Sequence, residues 1–197
     1  MLTKVQAEIM KVFTSKIDEN FSIKQVSEIT KKPYSLIHRA TKELVNKNYL
    51  LKDKRKLIKL NYKENSQELS YIESLRIKER LSEDKTLKLF IKDILDKIKE
   101  DYFTFLIFGS YVDKKSPRDI DLLLILDNKD KLETIERFIK NITSNFSYKF
   151  DINVITTESA YEMIKKINEK NVLNETLNKH LIIFGAESYY RMLKNAR

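Results

Sequence analysis

The chain has no cysteine and no tryptophan, and only two glycines and two prolines. Without cysteine it can form neither a disulfide framework nor a thiolate zinc site, which favours a reducing compartment, and we expect the cytoplasm. No apolar run reaches the roughly 18 residues that a membrane span needs, and the first residues carry Lys and Glu where a signal peptide would be apolar. We therefore expect no membrane partner. The 197 residues suffice for one large domain or two small ones.

Positive charge is concentrated in one short segment. Residues 31–63 contain eleven Lys or Arg against two acids, Glu43 and Asp53, a net charge of +9 that equals that of the whole chain. Acids and bases balance on both sides of this segment. A charge run is usually only a solvated face, but this confinement favours a site for a polyanion.

The residues up to the end of this segment predict three helices and a hairpin. Apolar residues recur at helical spacing over residues 3–17, and a second helix is expected after Ser22, with Gln25 as its capping-box partner. A third helix follows in the run YSLIHRATKELVNKN, where Asn48 suits a left-handed C-terminal cap. Two apolar runs around the basic tip, residues 53–56, then predict a β-hairpin.

Three helices and a hairpin follow one another in the order of a winged helix-turn-helix domain, and residues 1–63 resemble the winged domains of small prokaryotic transcription regulators. The resemblance implies that the third helix enters the major groove of double-stranded DNA, where Arg39 reads a base, and that the wing contacts backbone phosphates. The expected DNA contacts are Ser35, Arg39, Lys42, Lys54, Arg55 and Lys56. The alternative keeps the winged helix but makes it a protein-interaction module.

Residues 64–100 predict a helical connector between two domains. The runs 66–82 and 84–99 both have helical periodicity, and the second carries an apolar stripe that is typical of a core face. No Pro-, Gly- or Ser-rich linker separates the two halves. The boundary near residue 64 is therefore placed on charge and periodicity, and residues 101–197 form the second predicted domain.

The stretch LIFGSYVDKKSPRDIDLLLIL, residues 106–126, contains one of the two glycines and one of the two prolines. It reads as a buried strand that ends at Gly109-Ser110, a short loop, and a second buried strand that begins at Asp119. A helix over 130–143 and a strand in the run YKFDINVI follow. Strands buried on both faces indicate a mixed α/β sheet backed by helices, so the fold class is α+β or mixed α/β.

Three acids are expected to meet on this sheet. Residues i and i+2 of a strand project from one face about 6 to 7 Å apart, so Asp119 and Asp121 can share a divalent cation while Ile120 points into the core. Asp151 joins them if its strand lies beside the second strand. Such a cluster repels itself unless a cation is bound. Gly109 lets the backbone approach a ligand closely, and the Ser110 hydroxyl and the following amides can hold a phosphate.

This arrangement resembles the nucleotidyltransferase superfamily of DNA polymerase β, and within it the minimal nucleotidyltransferase domains of prokaryotes. The motif is an apolar strand, Gly-Ser, a loop, Asp-x-Asp in an apolar strand, and a third acid on a later strand. The closing segment NKHLIIFGAESYYRML is similar to that of archaeal members. The resemblance covers roughly residues 84–197 and implies a nucleotidyltransferase fold, a mixed sheet with flanking helices.

The resemblance also implies a role for each residue of the motif. Asp119 and Asp121 would hold two Mg²⁺ ions, and Asp151 would complete a metal site and help to deprotonate the attacking hydroxyl. Gly109 and Ser110 would bind the triphosphate of an NTP, with ATP expected. The reaction would transfer an NMP to a hydroxyl and release pyrophosphate.

Several alternatives remain open at this level. Only eight residues separate Ser110 from Asp119, and Lys114, Lys115 and Arg118 make this loop basic. Such a loop is compatible with phosphate binding or with a domain that senses nucleotide without turnover. The acceptor is a protein, an RNA or a small molecule; an antitoxin that modifies its toxin partner and regulates its own operon fits both halves. A scaffold with neither activity, and a homodimer, are further possibilities.

Overall fold

The structure, a computed structural model, describes residues 2–113, 119–167 and 169–197. Within these ranges it is a mixed α and β protein with ten α-helices and two sheets. The first half of the chain contributes five helices and a two-stranded antiparallel sheet. These elements are α1 Lys4–Ser15, α2 Ile23–Thr30, α3 Tyr34–Asn46, β1 Leu50–Lys52, β2 Ile58–Leu60, α4 Ser66–Glu83 and α5 Lys85–Leu95.

Local signals in the sequence explain where these elements begin and end. The Ser22 hydroxyl accepts from the Gln25 amide and the Gln25 side chain accepts from the Ser22 amide, so the predicted capping box at α2 is confirmed. Asn48, two residues after α3, has φ +59°, the left-handed conformation expected of it. The predicted hairpin is also confirmed, and an isolated bridge from Phe21 to Ile58 ties it to the segment before α2.

The second half folds around a four-stranded mixed sheet of order β5-β4-β3-β6. Strands β3 and β4 are antiparallel, β3 and β6 are antiparallel, and β4 and β5 are parallel. The elements are β3 Phe103–Phe108, α6 Ser110–Asp113, β4 Asp119–Leu126, α7 Leu132–Thr143, β5 Lys149–Thr156, α8 Thr157–Lys165, α9 Val172–Thr176, β6 His180–Phe184 and α10 Ala186–Ala196.

Alternate side chains of the sheet enter two different cores. Leu106, Leu123 and Ile182 belong to a cluster with residues of α4, α8, α9 and α10, whereas Ile107 and Leu122 belong to a cluster with residues of α5 and α7. Helices therefore cover both faces of the sheet, as the apolar strands predict. The expected mixed α/β fold class is confirmed at this level.

Helix α4 contacts both halves of the protein. It packs on α1 on one side and on β6 and α10 on the other, and it contributes Leu69 and Ile72 to the cluster that also holds Phe13 of α1 and Leu106 of β3. The predicted connector thus contains two helices, α4 and α5, and the apolar side of α4 lies in a core that both halves share. The division at residues 63 and 100 stays a prediction.

Further contacts join the segment that follows α1 to the residue after α9 and to the C-terminal residue. The Ile17 amide donates to the Leu177 carbonyl at 2.9 Å, and the Arg197 guanidinium pairs with Asp18 at 2.8 Å. Over the described ranges, no helix combines the length and the apolar character that crossing a membrane requires.

Candidate active site

The parallel pairing of β4 and β5 brings the three predicted acids onto one face of the sheet. Asp121 is the register partner of Asp151, and Asp119 lies two residues before Asp121 on the same strand. Because register partners in neighbouring strands point to the same side, all three carboxylates share a face. Ile120 between them is fully buried on the opposite face, as expected. The condition set on Asp151, that its strand lie beside the second, is met.

Gly109 lies at the end of β3, directly against this cluster. Its φ is +72°, and a β-carbon built on it would fall 2.1 Å from Oδ2 of Asp121. Any residue other than glycine would therefore be unfavourable at this position. The left-handed backbone disfavours residues with a side chain, and the carboxylate already fills the space that a β-carbon would need. The Gly109 amide donates to the Lys179 carbonyl at 3.1 Å, which fixes the turn to the segment before β6.

Ser110 follows on the short helix α6, which a half-buried hydrogen-bond network anchors. The Tyr111 hydroxyl donates to Asp84 at 2.7 Å, and the Tyr148 hydroxyl donates to the same carboxylate oxygen at 2.8 Å. The Arg80 guanidinium lies 4.5 Å from the centre of the Tyr111 ring and donates to its backbone carbonyl. Asp84 thereby joins the segment after Ser110 to the segment before Asp151.

Burial and neighbouring negative charges both act on the carboxyl of Asp121. Burial raises the pKa of this carboxyl above its ordinary value, and the negative charges of Asp119, Asp151 and Glu175 raise it further. Ionised oxygen donors that repel one another suit a hard cation such as Mg²⁺. Among the described residues, however, no three His, Cys, Asp or Glu side chains are grouped so that they could hold a metal ion together.

Lys114, Lys115 and Arg118, the basic residues of the loop between Ser110 and Asp119, lie outside the described residues. The nearest described loop residue is Asp113, whose carboxylate pairs with Lys179 at 3.3 Å. This pair adds a second tie between α6 and the segment before β6.

A buried ionic network lies behind the site. Glu73 and Arg76 of α4 pair at 2.7 Å, and Arg76 also donates to the backbone carbonyl of His180, the register partner of Phe108 next to Gly109. Burial opposes ionisation of Glu73, but Arg76, His180 and the Tyr190 hydroxyl outweigh it and hold the pKa of Glu73 below its ordinary value. His180 is fully buried, and its ring lies within hydrogen-bond distance of Glu73, so it is a packed member of this network.

The six predicted DNA contacts are all exposed and occupy two places. Ser35, Arg39 and Lys42 lie on α3, and Lys54, Arg55 and Lys56 form the tip of the hairpin. Asp53 shapes this tip, since its side chain accepts from the Leu57 amide at 2.8 Å and pairs with Arg55 at 3.4 Å.

Three features of the site carry no signal in the sequence. Glu175 lies on the five-residue helix α9, whose surroundings have no clear apolar period. Tyr111 and Tyr148 look like ordinary flanking aromatics until the fold brings both hydroxyls to Asp84. The pairing of Glu73 with Arg76 at i and i+3 resembles an exposed helix pair, and only its burial makes it unusual.

Comparison of the chain with protein-family models, with curated proteins and with solved structures gives no match. The resemblance described above therefore depends on the residues of the motif and on their arrangement.

Proposed function

We propose that the protein is a Mg²⁺-dependent nucleotidyltransferase that transfers an NMP from an NTP to a hydroxyl acceptor, and that its N-terminal half is a winged helix that binds duplex DNA. The observation that carries the proposal is the contact between the Gly-Ser turn and the acids: Gly109 lies against the Asp121 carboxylate, which shares a face with Asp119 and Asp151.

Each part of this arrangement has a role in the proposed reaction. The Ser110 hydroxyl and the amides that follow it bind the triphosphate, and the left-handed turn at Gly109 lets the Asp121 carboxylate lie directly against this segment. Asp119, Asp121 and Asp151 would hold divalent cations once their carboxylates converge, because the described side chains share a face of the sheet but are not grouped as metal ligands. Burial raises the pKa of Asp121, and a cation would relieve the further increase that the neighbouring negative charges cause. Bound Mg²⁺ supplies charge neutralisation for phosphoryl transfer.

The chain's own residues then position the reactants. The acceptor oxygen forms a bond to the α-phosphorus as the bond to pyrophosphate breaks, and Asp151, the most exposed of the three acids, takes the hydroxyl proton. Asp84 and its two tyrosine partners connect the two segments that carry Ser110 and Asp151. Such a connection favours a reaction that depends on the alignment of the two segments.

Labelled NTPs test the transferase. The protein, Mg²⁺ and each α-labelled NTP in turn are incubated with cell extract, with ATP expected as donor, and incorporation of label into protein and RNA is followed. We expect transfer by the wild type and its loss in Asp119→Ala. Asp127→Ala is the matched control, since Asp127 lies just beyond the other end of the same strand. Label transfer that Asp119→Ala leaves intact would refute the assignment.

The second candidate function is a DNA-binding regulator whose nucleotidyltransferase domain only senses nucleotide. The short link of eight residues between Ser110 and Asp119 favours it. Binding of NTP without transfer to any acceptor, and a change of DNA affinity on nucleotide binding, would support this function over the transferase.

A further inference from the structure

A cleft between α3 and the hairpin has the chemistry of a binding site. Its volume is about 380 Å³, within the range of small-molecule sites, and Ile23, Val45 and Ile58 line it on the apolar side. Lys42 of α3 and Lys52 of β1 also line it, and both side chains are exposed. Apolar walls beside two cations are suited to a molecule that has an apolar body and a negative group.

Thr41 adds a polar group to the lining of this cleft. The residue is 1% exposed, and its hydroxyl forms no hydrogen bond with any described residue. A buried hydroxyl without a partner is unfavourable, and most such groups in proteins are paired. A ligand oxygen at the base of the cleft would give this hydroxyl a partner, because the hydroxyl hydrogen rotates to meet an acceptor.

The remaining lining residues support an anionic ligand. His38 and Asn46 complete the lining, and none of the described residues that line the cleft is acidic. The opposite face of the hairpin differs, since Leu51 and Lys59 lie there in another depression that Asp18 also lines. In that depression Asp18 offsets one of two lysines, Lys59 and Lys63, whereas the described lining of the cleft beside α3 has two lysines and no acid.

We propose that this cleft binds a small amphipathic anion, an aromatic or aliphatic carboxylate of about ten to fifteen non-hydrogen atoms. The carboxylate lies between Lys42 and Lys52, the apolar body contacts Val45 and Ile58, and Thr41 donates to an oxygen of the ligand. A phosphate of a nucleic acid has the charge but not the apolar body, so the composition of the cleft favours the small molecule. The site does not depend on the proposed transferase.

Amide NMR spectra of the full-length protein test the site, with 4-phenylbutyrate as the probe and 4-phenylbutan-1-ol as its uncharged counterpart. We expect saturable shifts at Thr41, Val45 and Lys52, with millimolar or tighter affinity for the acid. The alcohol should bind at least about threefold more weakly, because it lacks the charge. Shifts that do not saturate, that centre on other residues, or that are equal for acid and alcohol would overturn the proposal.

Variants distinguish binding at this site from nonspecific binding elsewhere on the protein. Lys52→Gln should weaken binding of the acid about two- to fivefold and leave the alcohol unchanged, whereas Lys59→Gln, a lysine on the opposite face of the hairpin, should change neither. Val45→Phe should fill the cleft and abolish binding, with amide dispersion checking that it is folded. Equal effects of the two lysine variants would refute the site.

A phosphate of the DNA backbone is the other anion that could bind in the cleft. The variant Thr41→Val distinguishes a site for a small carboxylate from a site for a DNA phosphate. We expect this variant to weaken 4-phenylbutyrate about threefold and to leave duplex affinity unchanged without ligand. If it instead weakens duplex binding about tenfold and leaves 4-phenylbutyrate unaffected, the cleft is a backbone-phosphate site and the proposal is wrong. Absence of duplex binding in the wild type would count against the DNA-binding half alone.

Discussion

Gly109 and Asp121 lie so close together that a β-carbon on residue 109 would fall 2.1 Å from the Asp121 carboxylate oxygen Oδ2. The contact joins the first residue after β3 to Asp121, the second of the two acids on β4. It gives a steric reason for glycine at this position, in addition to its φ of +72°.

Gly109→Ala should therefore harm both the fold and the site. The left-handed backbone costs an alanine about 1 to 2 kcal/mol, and the new methyl group displaces the Asp121 carboxylate. We expect a lower midpoint in thermal unfolding. We also expect loss of nucleotidyl transfer at temperatures where the variant is still folded.

Gly185→Ala is the matched control for this variant. Gly185 has φ +76°, and its β-carbon would meet the Phe103 carbonyl oxygen at 2.3 Å, but it lies at the opposite end of the sheet from the acids. The Gly185→Ala protein should be destabilised at least as much as the Gly109→Ala protein, and yet it should keep transfer activity while it is folded. Equal loss of activity in the two variants would show that Gly109 acts through stability alone.

The sequence predicts the parts of this site better than their surroundings. Alternation along a strand places Asp119 and Asp121 on one face whatever the rest of the fold does. The position of Asp151 opposite Asp121 depends on which strand pairs with β4, and a local pattern contains no information on strand order. For the same reason the convergence of Tyr111 and Tyr148 on Asp84 was beyond sequence reasoning, since these residues are far apart in the chain.

Removal of one negative charge from the site should stabilise the metal-free protein. Because the pKa of Asp121 is raised in the folded state, the unfolded chain loses this proton first, and stability falls as pH rises from about 3.8 through the folded pKa. Asp121→Asn lacks this penalty, so at pH 7 without Mg²⁺ it should unfold at a higher temperature than the wild type.

Addition of Mg²⁺ provides the complementary measurement. The cation should raise the unfolding temperature of the wild type, because it binds the folded state and relieves the repulsion among the acids. The same addition should have a much smaller effect on Asp121→Asn. Identical Mg²⁺ responses in the two proteins would argue against a cation at this cluster.

Asp84 should be a positioning residue for the site. Its carboxylate caps α5 through the Leu87 amide and accepts from two tyrosine hydroxyls, so Asp84→Ala should cost about 2 kcal/mol of unfolding free energy in urea. We expect Asp84→Asn, which keeps an acceptor oxygen, to recover part of this loss. A role limited to stability would leave transfer by the folded Asp84→Ala protein unchanged, whereas positioning predicts a lower kcat.

Replacement of one partner of the buried ion pair of Glu73 and Arg76 should strongly destabilise the fold. Arg76→Met leaves the Glu73 carboxylate buried without its closest cation, and we expect a loss of about 3 to 5 kcal/mol in chemical denaturation. The exposed pair of Glu187 and Arg191 is the control, and Glu187→Gln should cost less than about 1 kcal/mol. The double variant Glu73→Gln and Arg76→Met should recover stability relative to Arg76→Met alone, because no unpaired charge is then left.

The pH dependence of this pair has the opposite sign to that of Asp121. The pKa of Glu73 is held below its ordinary value when the protein is folded, so its contribution is present above the unfolded pKa and is lost as pH falls through the folded pKa. Acid unfolding of the wild type should therefore be steeper than that of the double variant. Superimposable acid transitions would mean that Glu73 is not ionised in the folded state.

Reversal of charge at the hairpin tip should abolish binding to duplex DNA. Lys54, Arg55 and Lys56 are exposed at the tip, and their replacement by Glu puts negative charge where phosphates are expected, so we predict affinity at least about 100-fold lower. For the wild type, the logarithm of the binding constant should fall steeply with the logarithm of salt concentration. Electrophoretic mobility shift and fluorescence anisotropy at several salt concentrations measure both effects.

A second triple variant separates local contact from net charge. Lys85, Lys88 and Lys92 are exposed on α5, outside the segment of residues 31–63, and their replacement by Glu changes the net charge by the same amount. If the hairpin tip contacts DNA, this variant should bind within about threefold of the wild type, since distant charges are screened beyond about 10 Å at ordinary salt. Equal losses in the two variants would mean that attraction is diffuse and that the tip is not a contact. Salt-insensitive binding in the wild type would exclude a phosphate-based interface, because displacement of condensed counterions is what makes such binding depend on salt.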